Sequence, residues 1–398
     1  MTSFLHIEEP AARRPAAPNF ALWQLGFRPF YLLASGFAAL SIALWALQFA
    51  GVLGVPYLAG PMWHAHEMLF GFALAVVVGF LFTAVRNWSG QPTPTGALLA
   101  AIAALWLAGR VLVLTPWGWA AAIVDTAFPL VAAVALAKPL VAGRNRRNYF
   151  FVGLLAALGV ASLAVHLAQL QVITLPGWLG IQVGLDLVLF IMTVMAGRVV
   201  PMFTNNGVPG TSARRDPRIE KVALGGVLAL IAADLAGLHG GALAALLALV
   251  ALAHLARLAL WQPWKTLRAP IVWVLHLAYA WIVVHLALRA AAQLGWVLPS
   301  LATHALTVGA IGGLTIGMMT RTARGHTARA LRADRWEIAA YGLVAAAALV
   351  RVAVPMVAPA QTVHAVLCSA LLWSAGFGTY FVRYWPILTR PRLDGKPG

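Results

Sequence analysis

Long, continuously apolar stretches separated by short connections dominate this chain. Each runs for about 18 residues or more, which as a helix crosses roughly 30 Å of hydrocarbon. The pattern predicts spans at 28–50, 62–84, 96–115, 118–137, 149–171, 178–200, 221–238, 241–260, 270–294, 301–321, 336–354 and 361–386. Proline and glycine punctuate the connections, as in GVPYLAGP, SGQPTPTG, NNGVPG and VPMVAPAQ. Backbone groups in lipid must be satisfied within their own segment, so these runs are helices. A β-barrel would need alternating rather than continuous apolar positions. The expectation is an all-α, polytopic integral membrane protein of about twelve helices. A single domain would cover 28–388, between cytoplasmic tails at 1–27 and 389–398.

Composition agrees: 62% of residues are hydrophobic and 10% charged, against about 25% charged in soluble domains. A net charge of +17 invites a nucleic-acid partner until its distribution is read. With the N-terminus inside, all but three of the 28 Lys and Arg residues fall on the inner side, the exceptions being Arg110, Arg289 and Arg351. That asymmetry is the positive-inside signature. It predicts both termini inside, the inner membrane as location, the lipid bilayer as partner and no nucleic acid. The single cysteine, Cys368, rules out an internal disulfide, a CxxC pair and CxxCH haem attachment; it reads as a small core residue. The start, MTSFLHIEEPAARRP, has no apolar run directly after a basic stretch, so no cleavable signal peptide is expected.

With this orientation most intramembrane titratable residues share the outer leaflet. His64, His66 and Glu67 open span 2, His304 opens span 10 and His364 opens span 12. His166, Asp125, Asp186 and His285 lie in outer halves, whereas His254 and His276 lie toward the inner side. Ionisable groups inside a membrane are costly and face a cavity or one another. Imidazole is a common ligand for metals and haem iron, so a metal or haem site competes with simple interhelical hydrogen bonds and with a proton pathway. The densest motif is MWHAHEMLFGF. On a regular helix His64 and Glu67 share a face, while His66 stands about 200° from His64. The two imidazoles serve two centres unless the first turn is irregular. Glu67 can orient a ligating histidine or deliver a proton. The series His66, Arg86, Arg110, Asp125 and His304, Arg324, Arg351, His364 have nearly matching intervals. This faint repeat, read as three units of about four helices, would make His66 and His304 equivalent positions flanking a shared centre.

The segments MWHAHEMLFGFALAVVVGFLFTAVRNWSG, LWLAGR, GRVVPMFTNN, WVLHLAYAW, HALTVGAIGGLTIGMMTRTARGHTARAL and YWPILTRPRLDGKPG resemble the NnrS family over nearly the whole chain. The resemblance implies a bacterial membrane protein that contains haem b and copper and is linked to nitric oxide and nitrosative stress. It singles out His64, His66, His304 and His276 as metal ligands, with His66, His304 and His276 also candidates for haem. Glu67 is the candidate catalytic proton donor. His326 falls in a matching basic loop. His166, His254, His285 and His364 fall outside the matching motifs, which lowers their expected role. Three activities follow: reduction of nitric oxide to nitrous oxide with electrons from an external donor, non-enzymatic nitric oxide binding, or transport.

Overall fold

The computed structural model describes residues 20–54 and 57–396. Most of the predicted N-terminal tail, including the stretch read for a signal peptide, therefore lies outside the described residues. Those described form helical rods joined by short turns, with no strand among them. The rods are α1 (Phe27–Phe49), α2 (Gly60–Ser89), α3 (Gly96–Leu112), α4 (Gly118–Ala142), α5 (Phe150–Gln169), α6 (Gly177–Gly207), α7 (Pro217–Leu235), α8 (Gly240–Leu260), α9 (Pro270–Gln293), α10 (Pro299–His326), α11 (Arg335–Val357) and α12 (Thr362–Thr389). Each coincides with one predicted span. Ten are long and apolar enough to cross a membrane. The other two are α3, apolar but only 17 residues long, and α7, whose first turns carry Arg218, Glu220 and Lys221. The protein is a helical membrane protein.

Several rods have clear start signals. Asp216 caps α7 by accepting from the backbone N–H groups of Arg218 and Ile219, ahead of Pro217 at the first helical position. Those N–H groups, Ile219 foremost, hold the exposed Asp216 carboxyl below its usual range. Asp334 and Glu337 form a capping box at α11.

Buried polar pairs pin the bundle. Arg257 on α8 grips Glu220 on α7 with Nε and Nη2 at 2.6 and 2.8 Å. Its Nη1 reaches the Tyr279 hydroxyl on α9 at 2.9 Å. On the other side of the bundle Arg324 of α10 donates to Glu337 of α11 at 2.7 Å, and the Tyr384 hydroxyl of α12 donates to the same carboxylate. Arg289 on α9 pairs with Asp186 on α6 and Asp234 on α7. The start of the described residues meets the end of α12: Ala21 N–H donates to the Thr389 carbonyl at 2.7 Å, and Arg28 donates to the carbonyls of Leu388 and Arg390.

Small residues let α10 press against its neighbours, as expected where lipid offers no hydrophobic drive. A Cβ on Gly309 would land on the Trp281 ring of α9, and one on Gly312 on the Trp373 ring of α12. Gly309→Val is therefore expected to destabilise the protein by about 1–3 kcal/mol, read as a lower melting temperature in detergent; an unchanged melting temperature would refute this packing.

Two rods are irregular at one place. In α2 the backbone widens to a π-helix over Glu67–Ala73, and in α10 over Ala305–Gly312. Each widening begins one residue after a histidine, His66 and His304, and such turns concentrate at functional sites. Cys368 does not occupy the core, as its sequence context predicts, but lies exposed on α12.

Candidate metal and haem sites

The first turns of α2 send His64 and His66 to different neighbours. His66 is fully buried and faces α3, α4 and α5. Its Nδ1 donates to Glu67 Oε1 at 2.9 Å. Its Nε2 then carries the lone pair and has no hydrogen bond, although it lies 3.2 Å from Asp125 Oδ2. Asp125 on α4 also takes the Ser162 hydroxyl at 2.7 Å and His166 Nε2 at 3.2 Å, both from α5. The Tyr57 hydroxyl meets His166 Nδ1 at 3.1 Å. Tyr57 comes from the connection before α2. Arg110 of α3 closes the cluster by donating to Glu67 Oε1 at 2.6 Å and pairing with Asp125.

One ligand atom each from His66, Asp125 and His166 lies within 4.8 Å of the others, and all three residues are buried. An orphaned imidazole nitrogen in a dry interior is costly. A cation taking that lone pair removes the cost. His166 can join by passing its proton to Nδ1, which would then donate to Tyr57 and free Nε2 for a ligand. Two carboxylates and one guanidinium leave a formal charge of −1, so a divalent cation is electrostatically acceptable. Two imidazoles and a carboxylate suit copper(II), zinc or iron better than a soft monovalent ion.

The widened turn serves this cluster. Inside it the Gly71 carbonyl accepts from the Trp106 indole of α3 at 3.0 Å. A Cβ on Gly71 would strike Phe37 and the Arg110 guanidinium at 2.7 and 2.8 Å, so glycine admits the arginine that holds both acids.

His64 points into a separate cavity of about 540 Å³, in the size range of small-molecule and cofactor sites. Its apolar walls include Met68, Phe72, Ile311 and Trp373, and its polar groups include Gln182, Thr303 and Arg351. His64 stacks on Trp45 at 4.8 Å and lies parallel to His304, 9° between planes and 6.2 Å between centroids. His304 Nδ1 donates to the Ser300 carbonyl at 2.7 Å, which directs its Nε2 to any ligand. His64 Nδ1 is buried without a partner.

Of the histidines picked from sequence, His64 and His304 come together and His66 enters the other cluster. His66 and His304 do not flank a common centre as the repeat suggests; His64 stands opposite His304 instead. Glu67 turns to His66 and Arg110 rather than to His64, its expected helical neighbour, as the helix widens at that residue. His276 joins neither site: its Nε2 meets the Thr204 hydroxyl at 2.8 Å. His254 bonds Tyr279, and His285 bonds the Ala302 carbonyl. His364 is exposed, and His326 packs its ring on Phe27.

The motifs that hold these groups belong to a single family pattern. The family model described as NnrS protein matches residues 21–392. The chain belongs to the NnrS family. No curated protein matches it. Within this NnrS chain, His64, His66 and His304 of the two candidate clusters lie in matching motifs, whereas His166 lies in none. The available signal was Asp125 and His166 in the same predicted leaflet, one span apart. Tyr57 and Ser162 carried no signal of their own.

Proposed function

We propose that this NnrS protein is a haem- and copper-containing nitric oxide-binding protein of the bacterial inner membrane, with both termini cytoplasmic. The observation that carries the reading is the parallel His64–His304 pair across an apolar cavity. The two rings lie parallel with 6.2 Å between centroids, and both imidazoles would be available to hold the iron of a haem in that cavity. A bare ion would not need so large an apolar chamber, whereas a b-type haem would. Arg351 on the cavity wall suits a propionate carboxylate. A haem held there would supply an iron able to bind nitric oxide.

The chain's own residues hold the two imidazoles unequally. His304 is anchored through its Nδ1 to Ser300. His64 Nδ1 has no such tether, and its ring rests on Trp45. The second metal, copper in this reading, belongs to His66, Asp125 and His166. Glu67 holds the His66 tautomer, and Tyr57 holds that of His166.

His64 and His66 leave α2 toward different partners, so the two centres have separate walls. That geometry favours binding of nitric oxide at one centre, with electron exchange between centres, over joint reduction of two molecules in one chamber. An external donor supplies electrons, because a single cysteine cannot hold an iron–sulfur cluster. The test is nitric oxide titration of the purified, reduced, metal-loaded protein. The expected result is a stoichiometric shift of the haem absorption bands without steady nitrous oxide release. Haem bands that ignore nitric oxide would overturn the reading, and sustained nitrous oxide production would replace it with a reductase.

A further inference from the structure

A second cavity, of about 370 Å³, lies among the connections on the predicted inner side and is lined by Trp88, Asn145, Arg147, Asn148, Arg198 and Arg215. It shares no residue with either site above. Three guanidiniums converge there from three segments: Arg147 before α5, Arg198 on α6 and Arg215 before α7.

Their counter-charges are few. Neither Arg147 nor Arg198 has a carboxylate partner among the described residues. Arg215 reaches Glu220 at 2.8 Å, but that carboxylate is already gripped by Arg257 with two bonds. Three cations thus share one acid whose charge is largely spent elsewhere.

The cavity is also built rather than incidental. Asn145 donates to the Trp88 carbonyl at 2.5 Å, Asn148 donates to Asn145 at 2.9 Å, and Arg198 donates to Asn148 at 2.7 Å. This ladder fixes the Arg198 head. Its guanidinium lies 5.6–5.7 Å from the ring centroids of Trp88, Phe150 and Phe151. An aromatic box of this kind stabilises the cation without consuming its charge. Nη1 is engaged by Asn148, and the rest of the planar fork remains for a ligand.

We propose that this cavity binds a phosphate anion, through guanidinium forks matched to phosphate oxygens. The volume exceeds that of one inorganic phosphate, so a phosphodiester headgroup fits as well. Basic pockets between membrane helices on the cytoplasmic side commonly take anionic lipid headgroups. Tyr149, next in sequence to the cavity residue Asn148, and Val141, four residues before Asn145, are exposed and offer interfacial and apolar surface to acyl chains.

The experiment uses full-length protein in neutral detergent. Lipid retention is measured by native mass spectrometry with cardiolipin, phosphatidylglycerol and phosphatidylcholine, and melting is measured with and without inorganic phosphate. Wild type should retain cardiolipin or phosphatidylglycerol over phosphatidylcholine. Arg147→Gln, an exposed position unimportant for packing, should weaken retention about fivefold, as expected for one basic residue near an anionic headgroup. Arg198→Gln should weaken it further. If inorganic phosphate stabilises wild type but not Arg147→Gln while lipids do not discriminate, the anion is a free phosphate and the site stands. Equal behaviour of wild type and Arg147→Gln toward every probe would overturn it. Haem absorbance is recorded in parallel and should not change in Arg147→Gln.

Discussion

His304→Ala abolishes haem retention and His64→Ala does not: that is the expected outcome for a cavity with one tethered and one untethered imidazole. The Ser300 carbonyl fixes the His304 ring before any ligand arrives, and such outer-shell support alone is worth 10–100-fold in affinity in related sites. Losing the ligand itself should cost at least about tenfold. His64 rests on Trp45 with its Nδ1 unpartnered. Its removal should leave haem held by His304, with a shifted absorption spectrum and faster nitric oxide capture. The measurement is the haem-to-protein ratio and absorption spectrum of both variants, followed by stopped-flow mixing with nitric oxide. Loss of haem from both variants to the same degree would remove the asymmetry. Normal haem in both would move the site elsewhere.

Arg110→Met should destabilise the metal-free protein by about 3–5 kcal/mol, because it strands Glu67 and Asp125 as buried carboxylates without a counter-cation. An ion-pair network and a metal site predict different sequels. If His66, Asp125 and His166 form a metal site, the added negative charge should draw copper(II) or zinc more strongly. A metal at about a hundredfold over its dissociation constant would then return about 2.7 kcal/mol. Thermal melting with and without each ion reads this directly. Destabilisation that no metal relieves would assign the cluster to structure alone. An undisturbed melting temperature would contradict the burial of the pair.

The span pattern was legible because hydrocarbon admits so few backbone solutions: every apolar run became a helix in its predicted place. The division of labour between His64 and His66 was legible too, since two residues two positions apart on a helix face opposite ways. The partner of each was not. A helix that is apolar all round gives no periodic stripe to fix its rotation, so neither Asp125 beside His66 nor His166 behind it follows from spacing. The widened turns at Glu67–Ala73 and Ala305–Gly312 have no composition of their own. They shift the phase of everything after the histidine, which is why Glu67 parts from His64. His276 shows the converse: a motif match whose Nε2 meets Thr204 and which lies in neither cluster.

Helix α12, which follows the other rods in the chain, contributes Val366, Ser369, Ala370 and Trp373 to the cavity and is stitched to α1 and the residues before it at Arg28 and Ala21. Chains fold from the N-terminus as they are made. His64 and His304 are therefore both in place while one wall of their chamber is still missing. Under the proposed reading, a flat, greasy cofactor would enter sideways from the bilayer during that interval, with no need for a permanent doorway in the finished bundle.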